Sequence, residues 1–178
     1  MLKPAIIYKD EIKKQMQKYF YTDDMMYEVG ELDNHVPEIA DEPDRYCFQY
    51  AIVDSNENLI GYLAYAIDWY ASCAYNFGLF SFDRGNPLIG KELFRKMEEL
   101  ARKFHRIEWR MISENPVEKS YDKFCAKHNG TKHILKDVFK DRNCKYRDYI
   151  IYEIINEENE WLKNIVTFVA KKNIRQNI

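Results

Sequence analysis

Residues 80–94 read FSFDRGNPLIGKELF, and the fold turns on how that stretch divides. Phe80-Ser81-Phe82 closes an aromatic run that starts at Cys73 (CAYNFGLFSF), which reads as a strand. Asp83-Arg84-Gly85 is turn chemistry. Asn86 is a good N-cap and Pro87 a good first helical residue. Leu93, Met97, Leu100 and Phe104 follow at spacings of four, three and four, the stripe of a helix with one buried face. A strand, a glycine-bearing turn and a helix start in direct succession aim backbone N–H groups at one place. The ligand that suits them is an anion, often a phosphate.

Beyond this helix, RIEWRMI (106–112) is a short strand with Ile107, Trp109 and Met111 on one face. Strand, helix and strand over residues 73–112 predict a right-handed crossover between parallel strands. PVEKSYDKFCAKHNG predicts a second helix, started by Pro116 and stopped at Asn129-Gly130. TKHILKDVFK and YRDYIIYEII are strands around the turn DRNCK, and Trp161, Ile165 and Val169 mark a last amphipathic helix. Before residue 73, YCFQYAIVD and LIGYLAYAID form a hairpin through SNEN. Gly78 inside the next strand predicts a bulge or a close backbone or ligand approach. Ile12, Met16, Tyr19 and Phe20 predict a helix over residues 8–20. Residues 21–46 read as a short helical segment and then a loop, which either borders an active site or only connects.

The 178 residues suit one domain, and 46% hydrophobic residues supply a core. A net charge of -2 gives no electrostatic footprint for nucleic acid. The N-terminus MLKPAIIYKDEIKK has no long apolar stretch, and no run approaches spanning length, which argues against a signal peptide and a membrane anchor. Cys47, Cys73, Cys125 and Cys144 form no CxxC pair and read as reduced thiols of a cytoplasmic protein. Cys125, His128, His133 and Cys144 do not match zinc spacing, so no metal site is expected. The tyrosines and phenylalanines furnish either a lined cleft or a tyrosine-rich core. The last strand and the helix after it suggest a buried contact with a second subunit, making a homodimer, or with the N-terminal half of the chain.

The order of elements and the residues at the joints resemble the GNAT superfamily of acyl-CoA-dependent N-acyltransferases. The resemblance covers residues 46–155 well and the first forty-five only in layout. It implies an α/β (α+β) fold: a mixed, mostly antiparallel sheet with central splayed parallel strands and flanking helices. Residues 1–155 would form the acyltransferase domain and 156–178 a helical extension of it. The stretch 80–94 lies where the family has its pyrophosphate loop, written Q/R-x-x-G-x-G/A. With Gly90 as the last glycine, Leu88 replaces the middle one and Gly85 the Gln or Arg. With Arg84 as the basic residue, the loop is one residue too long. SENP puts Asn115 at a common family Asn, and SYDKF puts Tyr121 near the family Tyr. Tyr121 stands one residue closer to Asn115 than usual, a rotation of ~100° on a helix; Phe124 is the other candidate for that position.

By resemblance, backbone groups at Phe80, Ser81 and Phe82 bond the pantetheine arm of acetyl-CoA. Arg84, Gly85, Asn86, Leu88 and Gly90 hold its pyrophosphate. Asn115 either bonds the cofactor or caps a helix, and Tyr121 is either the acid for the thiolate or a packed aromatic. Asp68, Asp83, Glu108 and Glu114 are candidate bases or solvated carboxylates, and none is preferred. The implied activity is transfer of an acetyl group to a primary amine, small or peptidyl, by direct attack. The alternatives are a non-catalytic protein of this fold that binds acyl-CoA or a protein partner, and a phosphate-binding protein unrelated to CoA.

Overall fold

The computed structural model describes residues 1–22, 38–42, 44–141 and 143–157. The expected last helix (after residue 157) and most of the expected segment 21–46 lie outside the described residues. The strands are β1 (Leu2–Pro4), β2 (Cys47–Val53), β3 (Leu59–Asp68), β4 (Cys73–Ser81), β5 (Arg106–Ile112), β6 (Thr131–Lys140) and β7 (Tyr146–Ile155). The helices are α1 (Lys9–Tyr19), α2 (Pro87–Lys103) and α3 (Glu118–Lys127), with a 3-10 turn over Ala5–Tyr8. One sheet runs β1-β2-β3-β4-β5-β7-β6, and all neighbours are antiparallel except β4 and β5. This is the mixed, mostly antiparallel sheet with one central parallel pair that the sequence implied.

Two layers of helix explain the burial pattern. Ile12 and Met16 of α1 bury one face together with Tyr62, Ala64 and Phe80. On the other face Leu93 and Met97 of α2 and Phe124 of α3 pack on Leu63, Trp109, Ile150 and Tyr152. β3 is covered on both faces, so all its residues but Asp68 are buried, and LIGYLAYAI is apolar without strict alternation. β5 keeps Ile107, Trp109 and Met111 inward and Arg106, Glu108 and Arg110 on the opposite face.

Two details differ from the sequence reading. A short β1 adds to the edge of β2, which three residues could not announce. α3 begins at Glu118: Pro116 and Val117 form a turn, in which Asn115 accepts from the N–H of Val117 through its side chain (3.1 Å) and of Glu118 through its carbonyl (2.9 Å). The last strand, β7, lies between β5 and β6, and its apolar residues Ile150, Tyr152 and Ile154 are buried in a core that they share with Ile52, Leu63 and Tyr65 of the N-terminal half. The edge is β6.

Candidate active site

The parallel pair is short. Only Cys73↔Arg106 and Ala74↔Ile107 are in register, after which β4 and β5 part. The cause lies in β4. Ala64 pairs with Gly78 but Ala66 with Tyr75, so β4 carries an extra residue, and Asn76 stands at φ 58. Asn is one of the few residues that enter the left-handed region readily. The bulge falls just before Gly78 and bends the remainder of β4 away from β5. A slot therefore opens between Phe77–Ser81 and the second half of β5.

Ladder alternation decides which backbone groups face this slot. The N–H of Phe82 donates to the carbonyl of Ile60 (2.9 Å). With Phe80 opposite Tyr62 in the same register, Phe80 and Phe82 turn their backbone groups toward β3. Leu79 and Ser81 turn theirs toward the slot. Of the three residues named for the pantetheine arm, Ser81 is the one so directed; Leu79 was not singled out, because alternation needs a known register.

At the end of the slot the chain makes the turn into α2. Gly85 takes φ 85, a conformation glycine adopts without strain. The Asn86 side chain accepts from the N–H of Leu88 (3.0 Å), so it is the cap the sequence predicts. Its Nδ2 donates to the Asp83 carboxylate (2.7 Å). Asp83 N–H donates to the carbonyl of Ile60 (3.2 Å), Asn86 N–H to that of Asp83 (3.1 Å), and Ile89 N–H to that of Asn86 (3.2 Å). Pro87 has none to give. The N–H groups of this turn are thus largely engaged within the protein. Arg84 is exposed at its apex, and a Cβ at Gly90 would meet no atom within 4 Å.

The last turn of α1 forms the opposite wall. Tyr19 meets Phe80 edge-on, with ring centroids 5.1 Å apart. This contact brings Gln15, Lys18, Tyr21 and Thr22 against Ser81, Phe82 and Arg84 around an open cleft of about 610 Å³. The helical stripe of α1 was legible, but nothing in the sequence joined its end to residue 82.

Tyr121 is 7% exposed, and its ring is boxed by Phe94 (5.8 Å), Trp109 (5.8 Å) and Tyr152 (5.9 Å). It lies on the inner side of α3 over the middle of β5. Phe124 occupies the same cluster at 5.3 Å from Phe94 and 5.7 Å from Trp109. Beside them the Tyr152 hydroxyl donates to Asp122 (2.7 Å), which Lys132 also reaches (2.8 Å). Burial opposes charge on Asp122, but the bonds from Lys132 and Tyr152 prevail and hold its carboxyl below the ordinary range. Burial and then the bond to Asp122 push the Tyr152 hydroxyl up.

The four acids weighed as bases all have partners. Asp68 accepts the N–H groups of Tyr70 and Ala71 (2.9 Å each) at the closed end of the slot. Glu108 is shared by Arg106 (2.7 Å) and Arg110 (2.8 Å). Glu114, at φ 66, is gripped by Lys145 (2.8 Å) and Arg147. Asp83 holds Asn86, as above. Cys73, at the start of β4, is an inert thiol: burial, then the nearby Glu108, pushes it up to about 11. Among the described residues no His, Cys, Asp and Glu group is arranged to hold a metal ion.

No protein-family profile and no curated protein matches the sequence. Solved structures do. A ribosomal L7/L12 alpha-N-protein acetyltransferase, RimL, in complex with coenzyme A superposes with a TM-score of 0.63 at 17% identity, over 86% of this chain and 92% of its own. The chain has the fold of the GNAT N-acetyltransferases. A chimera of the spermidine N-acetyltransferase SpeG from Vibrio cholerae and hSSAT agrees at 0.57 and 15% identity, over 87% of this chain and 94% of its own. Vibrio cholerae SpeG in complex with manganese ions agrees at 0.51 and 19% identity, over 68% and 71%.

Proposed function

We propose that the chain is an N-acetyltransferase that passes an acetyl group from acetyl-CoA to a primary amine. The observation that carries this is the slot: two registered pairs between β4 and β5, then a bulge, then a turn that delivers the open end of β4 to the N-terminus of α2. A RimL structure of the same fold contains coenzyme A, which supports acyl-CoA as the cosubstrate. The thioester is already activated, so the amine attacks it directly: the N–C bond forms, the C–S bond breaks, and the thiolate takes a proton. The slot-facing backbone at Leu79 and Ser81 orients the thioester arm. The positive end of α2, with Gly85 and Gly90 offering no side chain, takes the pyrophosphate, and Arg84 lies beside it. Tyr121 is the proton donor to the thiolate. Asn115 acts indirectly, setting the turn into α3. With Asp68, Glu108 and Glu114 tied up, the amine enters neutral or loses its proton to water.

SpeG and RimL are named for a polyamine and a protein N-terminus, so the acceptor panel spans both: spermidine and other small amines, and peptides with free N-termini. The four free cysteines suit a cytoplasmic enzyme. The test is release of CoA thiol over this panel, with Gly90→Glu as the site variant. A glutamate there has room for its Cβ, so the fold is kept while a negative charge meets the phosphates. Acetyl-CoA binding should be lost; a variant that binds as tightly as the parent refutes the site.

A second reading has its own support. The engaged N–H groups around Asn86 and the tight packing of Tyr121 favour a protein of this fold that binds acyl-CoA, or a protein partner, without turnover. CoA binding with no thiol release from any amine would select it.

A further inference from the structure

We propose that residues 158–178 of this chain cover the face of β5, β7 and β6 that the described helices leave open. At this end of the sheet only one side is packed: Trp109 of β5 and Ile150 and Tyr152 of β7 lie in the core beneath α2 and α3. The register gathers the alternate residues of the three strands on the other side, from Arg106 beside Ile155 to Ile112 beside Tyr149 and Leu135. Neither buried cluster takes a residue from that side. Ile155 is 52% exposed there and Leu135 48%. The charges of the face are already matched. Glu108 accepts from Arg106 (2.7 Å) and Arg110 (2.8 Å), and Glu153 pairs with Arg106 (3.1 Å), so an apolar cover strands no unpaired charge. The Nε donors of Arg106 and Arg110 are buried without a partner, the mark of a face that lacks a layer.

β7 delivers the chain to this face. After Ile155, Asn156 is fixed by its N–H to the carbonyl of His105 (2.7 Å) and by its side-chain amide to that of Ala101 (3.0 Å). The residues that follow therefore start at one end of the open rows. Their apolar positions Trp161, Ile165 and Val169, with Leu162 and Val166 beside them, make the stripe of an amphipathic helix. At about 1.5 Å per residue, a helix from Glu157 to Val169 spans roughly 20 Å. At about 3.4 Å per residue, β7 from Tyr149 to Ile155 also spans roughly 20 Å. The stripe steps by about 6 Å and the rows of the face by about 7 Å, so a helix turned back along β7 sets one apolar residue over each row. Glu157, Glu158 and Glu160 then begin beside Arg106, whose side chain is 41% exposed. The short tether at Asn156 gives this segment a high effective concentration at the face, which favours it over a second copy.

The test reads Trp161 in the full chain, its emission isolated in each background by subtracting the Trp161→Phe spectrum. In the parent, Trp161 should emit at short wavelength and resist quenching by acrylamide. Leu135→Glu puts a charge on the open face at a half-exposed position, where the fold tolerates it. It should move the balance between covered and uncovered states about fivefold or more toward uncovered, because the contact with leucine is lost and a carboxylate opposes the stripe. Trp161 then emits at longer wavelength and quenches freely. Ile155→Glu, on the same face, should do the same and decides the matter if Leu135→Glu fails to fold. Ile134→Glu is the control: Ile134 is 51% exposed but lies on the other side of β6, opposite Ile150, so Trp161 should not change. Sedimentation of the parent and Leu135→Glu distinguishes a cover from the same chain from one supplied by a second copy. The proposal is overturned if Trp161 of the parent quenches as freely as in the denatured chain, if Ile134→Glu exposes it as much as the face variants do, or if the face variants leave it covered. A dimeric parent that Leu135→Glu turns into a monomer also overturns it, since the cover would then be a second copy.

Discussion

Gly61→Ala tests the packing that holds the lip of the slot. Gly61 lies in β3 opposite Ile52 on one side and Ser81 on the other. A Cβ there would stand 2.8 Å from the carbonyl oxygen of Phe80 and 3.2 Å from Cδ1 of Ile52. The isoleucine end can turn away. The Phe80 carbonyl belongs to the β3–β4 ladder and cannot, so β4 must shift by roughly half an ångström. Overpacking of this kind costs about 1–3 kcal/mol. The reduced chain entropy of alanine returns roughly 0.5–1 kcal/mol. The net loss of about 1–2 kcal/mol lowers the melting temperature by roughly 2–8 °C in a chain of this size. Gly90→Ala is the counterpart: its Cβ meets nothing within 4 Å, and a helix interior gains roughly 1 kcal/mol from the change. Scanning calorimetry on the three proteins reads the melts, and CoA titration reads the shift of Phe80 and Ser81. The reasoning is refuted if Gly61→Ala melts at or above the parent, or if Gly90→Ala falls as far as Gly61→Ala.

Tyr121→Phe keeps the ring among Phe94, Trp109 and Tyr152, so its turnover should fall by ~10²-fold with CoA affinity nearly unchanged; parental turnover on the true amine would reduce Tyr121 to a core aromatic. His128 packs at a tilt against Phe124, with ring centroids 4.7 Å apart, and its Nε2 is buried without a partner. Burial, then Lys127, holds its pKa below the ordinary value, with Arg102 adding to this and Glu98 opposing. The unfolded chain takes up this proton as pH falls through about 6.5 while the folded chain resists, so stability is lost in that direction. His128→Phe should flatten the fall in melting temperature between pH 7 and pH 5, and an unchanged slope would show that His128 is protonated freely in the fold.

The elements were legible wherever local chemistry fixes them. The cap at Asn86, the proline after it and the buried stripe of α2 are one statement made three ways. The β2–β3 hairpin follows from two apolar runs around SNEN, and the alternation of β5 shows its buried face. Gly78 signalled a disturbance in β4, but the residue that bears the strain is Asn76, two positions earlier, and only the register with β3 reveals it.

The sequence by itself determined the kinds of element, their order and the crossover from β4 to β5, because turn chemistry, capping and periodicity act between residues close along the chain. The tertiary structure decided what those elements do to one another. It set β7 between β5 and β6, spent Phe82 on Ile60 and turned Ser81 to the slot, brought the end of α1 to the cleft, and gave each candidate acid a partner. Each of these depends on which distant residue stands opposite. Register and docking are settled by the burial of whole faces at once, so no local stretch carries them.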